Sequence, residues 1–153
     1  KRRKMADWAP ADWIYRMECG TRKLDQIEAD QALLRYLCPK LSIQPLLENA
    51  IYHGMEGMYE DGEITIRIYD RDGNIGIDVA DNGPGMAQET IDHIMHNKVI
   101  SSKRGSGIGV RNVNERIQLI YGEDYGVTIT SELDEGTTAT ITIPKMEETD
   151  DAR

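Results

Sequence analysis

Ile64–Gly85 reads I-T-I-R-I-Y-D-R-D-G-N-I-G-I-D-V-A-D-N-G-P-G. Ile64, Ile66 and Ile68 alternate with other residues, Asp72-Gly73 makes a two-residue turn, and Ile75, Ile77 and Val79 alternate back. Side chains two apart share one face of a strand, so this stretch predicts an antiparallel hairpin with one apolar face. From Asp81 to Met86 the chain must be loop. Val127–Leu133 and Thr137–Ile143, around Asp134-Glu135-Gly136, predict a second hairpin that Pro144 ends. Lys23–Ala29 is a fifth candidate strand, anchored on Leu24 and Ile27.

The remaining segments carry helical periodicity. Pro39 opens the apolar stretch P-K-L-S-I-Q-P-L-L-E-N-A-I-Y-H-G, in which Leu46, Leu47, Ala50 and Ile51 recur at helical spacing before Gly54. Pro45 has no N–H, so it either kinks this helix or restarts it as a first-turn proline. Ala87–Asn97 has a helical pattern. Ile108–Tyr121 is an amphipathic helix on Val110, Val113, Ile117 and Ile120, stopped by Gly122. Ala11–Cys19 reads as the last turns of a helix ended by Gly20, too short to stand alone. Five strands and three main helices predict an α+β fold: a two-layer sandwich with helices on one face of a mixed sheet.

Composition narrows the class. The chain has 153 residues, one domain's worth, and 27 acidic against 18 basic residues give a net charge of −9. That balance argues against broad nucleic-acid binding, which rests on neutralising phosphates with many cations. It leaves room for a small anionic ligand held by backbone amides. Mean hydropathy is −0.54, and no apolar run approaches the ~20 residues of a bilayer span. Lys1-Arg2-Arg3-Lys4 has no apolar region behind it and is not a secretory signal. The two cysteines, Cys19 and Cys38, form no C-x-x-C and fit a reducing compartment. Phenylalanine is absent, so the core falls to Ile, Leu, Val and Met.

Three segments are unusual for a chain whose only task is to fold. Glu48-Asn49 sits inside the apolar helix, with Asn49 and His53 on one face. They can present an amide oxygen and an imidazole to a ligand, or simply satisfy local backbone. Asp81-Asn82-Gly83-Pro84-Gly85 follows a buried strand; it is either an ordinary turn or a carboxylate acceptor beside backbone that approaches a flat ligand closely. Gly105-Ser106-Gly107-Ile108-Gly109 runs into the helix near Val110, where unpaired N–H groups and the positive dipole end suit a polyphosphate. The bland alternative is a linker. It matches neither the P-loop nor the dinucleotide fingerprint. Lys98, Lys103 and Arg104 cluster just upstream. His93 and His96 have no supporting cysteine or carboxylate pattern for a metal.

The order of these segments resembles the nucleotide-binding domain of the gyrase, Hsp90, histidine-kinase and MutL superfamily, the Bergerat fold. Leu46-Leu47-Glu48-Asn49-Ala50 looks like its N box, Asp81 to Gly85 like its G1 box and Gly105 to Gly109 like its G2 box. L-S-I-Q-P-L-L-E-N-A-I-Y-H-G with G-I-G-V-R-N-V-N-E-R-I is most similar to LytS/YesM-type sensor histidine kinases. The resemblance covers about Ala11 to Pro144.

It implies ATP and Mg²⁺ as cofactors. Asn49 would hold the Mg²⁺, and Asp81 would accept the adenine amino group with Thr137 in support. Gly83 and Gly85 would let backbone pass beside the base. The amides of Gly105, Ser106, Gly107, Ile108, Gly109 and Val110 would wrap the phosphates, with His53 and Lys103 near them and residues 87–104 as a lid. Tyr52 stands where many relatives carry lysine, so Lys103 or Arg104 would compensate. Glu48 would be the catalytic residue, assisting the acceptor imidazole, or would merely tune the site.

The same resemblance implies a partition into a 1–22 tail ending a dimerisation-domain helix, a 23–145 ATP-binding domain and a 146–153 acidic tail. The acceptor histidine is not in this chain: His53, His93 and His96 lie in no such context. Implied partners are a dimerisation and phosphotransfer domain of the same protein and a response regulator, with a homodimeric full-length protein. The domain itself would be cytoplasmic, within a full-length protein that is either anchored in the cell membrane or not. A gyrase- or MutL-like ATPase and an anti-sigma-type serine kinase are the alternatives.

Overall fold

A computed structural model describes residues 2–4, 24–39, 42–54, 62–96 and 108–147. The predicted hairpin is its centre. Strand β4 (Ile64–Arg71) pairs antiparallel with β5 (Asn74–Asp81). Asp72 and Gly73 both take positive φ, 51° and 86°, as a type I′ turn requires. The second hairpin joins β6 (Gly126–Glu132) and β7 (Gly136–Ile143). Strand β7 also pairs with β5, and β2 (Leu24–Ala29) lies parallel to β4. The sheet order is β2-β4-β5-β7-β6, mixed as expected. A separate two-stranded pairing joins β1 (Arg2–Lys4) to β3 (Leu37–Pro39).

Register turns the alternation into rows across the sheet. Ile66, Val79, Ala139 and Ile129 form one row, and Ile68, Ile77, Ile141 and Val127 the next. Ile75 and Ile143 face each other beyond them. Most of these side chains are buried, and burying an isoleucine fully is worth roughly 1.5–3 kcal/mol. Helices α1 (Ile43–Asn49) and α3 (Ile108–Tyr121) cover this face with Ile43, Leu46, Leu47, Val110, Val113 and Ile117. The third helix, α2 (Gln88–His96), adds Ile91 and Ile94. Asn114 Oδ1 accepts the Val127 N–H at 2.8 Å and ties α3 to β6.

Two expectations need correction. Pro39 ends β3 and does not open the helix, which starts at Ile43. The Ser42 hydroxyl, at the N-cap position, donates to the Pro39 carbonyl at 2.7 Å and turns the chain from strand to helix. Pro45 is then a first-turn proline whose missing N–H has no partner to lose. Ile120 does not join the stripe of Val110, Val113 and Ile117: it is exposed, and Tyr121, one position on, packs on the core instead. The helical residues proposed at Ala11–Cys19 lie outside the described residues.

Met146 and Glu147 run beside β3: the Leu37 N–H donates to the Met146 carbonyl at 2.7 Å, and Arg35 pairs with Glu147 at 3.0 Å. Cys38 is fully buried, and burial pushes its thiol from 9.0 up to about 12. A native thiol held protonated is inert. Cys38 should escape alkylation in the folded chain and react once the chain is unfolded, read by peptide mass mapping. Between pH 9 and 12 the folded thiol keeps a proton that the unfolded one has released, so this site's contribution to stability falls as pH rises.

Candidate functional site

The two central helix-facing rows of the sheet, one through Ile68 and Ile77 and one through Ile66 and Val79, are apolar, and the next one is not. There the register sets Ile64, Asp81, Thr137 and Ser131 side by side across four strands. By strand alternation, Asp81, Thr137 and Ser131 occupy positions at which the preceding rows carry Val79, Ala139 and Ile129. Thr137 is buried and the other two are half-buried. Three polar groups at the edge of an apolar core call for partners.

The loop after Asp81 is held by those groups. The Gly83 N–H donates to Asp81 Oδ1 at 2.9 Å, and the Glu63 N–H to Asn82 Oδ1 at 2.8 Å. The Asp134 N–H donates to the Pro84 carbonyl at 2.8 Å, and the Met86 N–H to Ser131 Oγ at 2.7 Å. Ser131 also contacts the Gly136 carbonyl at 2.9 Å and Thr137 Oγ1 at 2.8 Å. The loop and the β6–β7 turn are thus one stitched unit. Gly85 has φ +72°, and a Cβ there would lie 2.1 Å from the Glu132 carbonyl oxygen. At Gly136, φ +128°, a Cβ would lie 2.0 Å from that of Asp81. The close backbone approach that Gly85 permits is therefore to the chain's own strand, a role the sequence reading did not assign.

Asn49 ends α1, and its Oδ1 is buried with no hydrogen-bond partner among the described residues. An unpaired buried carbonyl-type oxygen costs on the order of 1–3 kcal/mol. A hard divalent cation, which takes oxygen ligands, would satisfy it, so this donor fits Mg²⁺. Glu48 points elsewhere: it is exposed and accepts from Gln44 Nε2 at 3.3 Å. Beyond Asn49 the helix widens into a π turn, Ala50–Gly54, packed against β5 and β7. It carries exposed Tyr52 and the backbone of His53, whose side chain lies outside the described residues.

Helix α3 begins at Ile108, so the first N–H groups at Ile108, Gly109 and Val110 have no partner within the helix. The Val110 side chain is in the core, leaving its backbone alone for a ligand. A Cβ on Gly109 would stand 3.1 Å from Pro45 Cβ, so glycine lets the start of α3 approach the first turn of α1 closely. Lys98, Lys103, Arg104, Gly105, Ser106 and Gly107 lie outside the described residues. No group of three or more metal-ligating His, Cys, Asp or Glu side chains occurs among the described residues.

These features can be set beside known proteins. The family profile of the histidine kinase-, DNA gyrase B-, and HSP90-like ATPases matches residues 39–147. The chain belongs to this ATPase family. It is 39% identical over 131 residues to the sensor histidine kinase YesM of Bacillus subtilis, covering 86% of this chain and 21% of that one. It is 35% identical over 108 residues to the sensor histidine kinase YpdA of Escherichia coli, covering 71% and 18%. The chain thus spans about a fifth of the length of these relatives. The catalytic domain of histidine kinase ThkA has the same fold, with TM-score 0.65, 20% identity and 95% of each chain covered. A mycobacterial sensor histidine kinase, MprB, superposes with TM-score 0.62 at 14% identity, covering 97% of this chain and 99% of that one. The two-layer architecture of this ATPase family is the one predicted from the hairpins.

Within this ATPase fold, Asp81, Gly83, Gly85 and Thr137 come together at one end of the sheet, while Asn49 and the start of α3 belong to the helical layer above it. Sequence reasoning missed Ser131 and Arg111. Ser131 had a readable signal: it occupies a core-facing parity after Val127 and Ile129, where an apolar residue belongs. Arg111 had none. It is buried, and its guanidinium donates to the Ile94 carbonyl at 2.9 and 3.1 Å and to that of His93 at 3.1 Å. These are among the last carbonyls of α2, so Arg111 caps that helix from α3.

The stitched loop makes a direct stability prediction. Gly85→Ala and Gly136→Ala should each lower unfolding free energy by at least about 1–3 kcal/mol, through strain and overlap together. Gly73→Ala and Gly122→Ala, where a Cβ meets nothing within 4 Å, should cost less. Urea denaturation of the four variants measures this.

Proposed function

We propose that this chain is the ATP-binding catalytic domain of a sensor histidine kinase of the LytS/YesM kind. It would transfer the ATP γ-phosphoryl group to a histidine on a dimerisation domain of the same protein. The observation that carries the reading is the polar row at the end of the core, Asp81 beside Thr137, in an ATPase-family chain. The similarity to YesM favours the kinase over a gyrase-like ATPase.

In this reading Asp81 accepts the adenine amino group while its Oδ1 keeps the Gly83 N–H, and Thr137 supports the base from the neighbouring strand. Asn49 would hold Mg²⁺ through the oxygen that has no partner among the described residues, and the ion would supply neutralisation of phosphate charge. The amides at Ile108, Gly109 and Val110, which have no partner within the helix, would hold the phosphates with those of Gly105 to Gly107, and Lys103 or Arg104 would add charge. His53 would lie near the phosphates. Glu48, exposed on α1, would assist an acceptor imidazole that arrives from outside. The imidazole nitrogen takes the phosphoryl group and ADP leaves; positioning and charge neutralisation do most of the work. The intact protein acts as a homodimer, passes its phosphoryl group to a response regulator, and keeps this domain on the cytoplasmic side. No helix among the described residues is long and apolar enough to cross a membrane.

The deciding assay mixes this chain with Mg-ATP and candidate acceptor domains. Acid-labile phosphohistidine on the acceptor is the expected product. Acid-stable phosphoserine would point instead to an anti-sigma-type kinase, and free phosphate alone to an ATPase. Asp81→Asn keeps an acceptor for the Gly83 N–H but presents a donor to the base, so ATP affinity should fall at least about tenfold with the fold intact. Calorimetry and circular dichroism together test that. Glu48→Gln should slow phosphotransfer while ATP binding is unchanged; full phosphotransfer would remove Glu48 from the mechanism.

A further inference from the structure

Three neighbours meet at the Ser131 hydroxyl, and together they use all of it. A serine hydroxyl has one proton and two lone pairs. The Met86 N–H donates to Ser131 Oγ at 2.7 Å and takes one lone pair. The Gly136 carbonyl, which can only accept, lies at 2.9 Å and takes the proton. Thr137 Oγ1, at 2.8 Å, must then donate into the remaining lone pair. The Thr137 proton is committed to Ser131, and Thr137 Oγ1 is left with acceptor capacity alone. Directly opposite, in register, stands the Asp81 carboxylate, also an acceptor.

We propose that Ser131 is a positioning and specificity residue. By fixing Thr137 as an acceptor, it makes the Asp81–Thr137 pair select a base that carries an amino group there over one that carries a carbonyl. The inference rests on the nucleotide reading above and adds to it a residue outside the family-like motifs. An amino group offers two N–H donors to two acceptors. A carbonyl in the same place meets lone pairs on both sides, and sites built this way reject the mismatched analogue strongly. Removing the Ser131 hydroxyl frees the Thr137 rotor to donate, and the rejection weakens.

The test compares binding of Mg-ATP and Mg-ITP, whose bases differ as amino against carbonyl, to the full 153-residue chain. The wild type should prefer ATP. Ser131→Ala should lower the ATP-to-ITP affinity ratio by about tenfold, roughly the worth of one hydrogen bond of this kind. Ser131→Cys, close in shape and a poor acceptor, should do the same and carries the test if the alanine variant does not fold. Ser131→Thr, which keeps the hydroxyl, should restore the wild-type ratio. Thr137→Val should lower the ratio similarly, and adding Ser131→Ala to it should change nothing further. Equal losses of ATP and ITP in the Ala and Cys variants, or an undiminished Ser131 effect in the Thr137→Val background, would overturn the role of Ser131. A wild-type chain that binds no ATP would instead sink the nucleotide reading, a separate failure.

Discussion

The antiparallel pairing of β5 with β7 is the constraint on which the rest depends. It fixes Val79 against Ala139 and Ile77 against Ile141, and so fills the core under α1 and α3. The same register, carried one step further, sets Asp81 against Thr137. A slip of one residue would turn every one of these side chains to the opposite face. Core and site are therefore specified by a single set of hydrogen bonds, and neither can form in another register without the other.

Much of this was legible because alternation and turn chemistry are local. The Ile64–Val79 hairpin announced itself through three alternating isoleucines and Asp72-Gly73, and the Ile108–Tyr121 helix matched its predicted bounds. Asp81, Gly83, Gly85 and Thr137 could be picked out because their residue types fall in a recognisable order. The start of α1 was misplaced because Pro39 is compatible with both a strand end and a helix start. The Ser42 bond that decides between them depends on where the chain turns. Arg111 was invisible because its partners are backbone carbonyls on another helix, and no side-chain pattern encodes a carbonyl.

The two ends of the proposed nucleotide site, the base end at Asp81 and the cation end at Asn49, are built by different physics. At the base end, glycine allows backbone to touch backbone: Gly136 lies against the Asp81 carbonyl and Gly85 against that of Glu132. The loop needs no further ordering when a ligand arrives, so little conformational entropy is lost there on binding. At the Asn49 end a buried oxygen has no partner among the described residues, and in the proposed site that unmet bond would favour a cation. The proposed site is thus pre-organised at its Asp81 end and incomplete at its Asn49 end.

The Arg111 fork gives α2 an all-or-nothing attachment. Its guanidinium is buried and its bonds run to two carbonyls of one helix. If α2 drew away gradually, the bonds would lengthen while the charge stayed in the interior, and an uncompensated buried charge costs several kcal/mol. Intermediate positions are therefore the unfavourable ones. The Arg111 fork thus holds the end of α2 at a sharply defined seat on α3, with no gradual slope leading away from it.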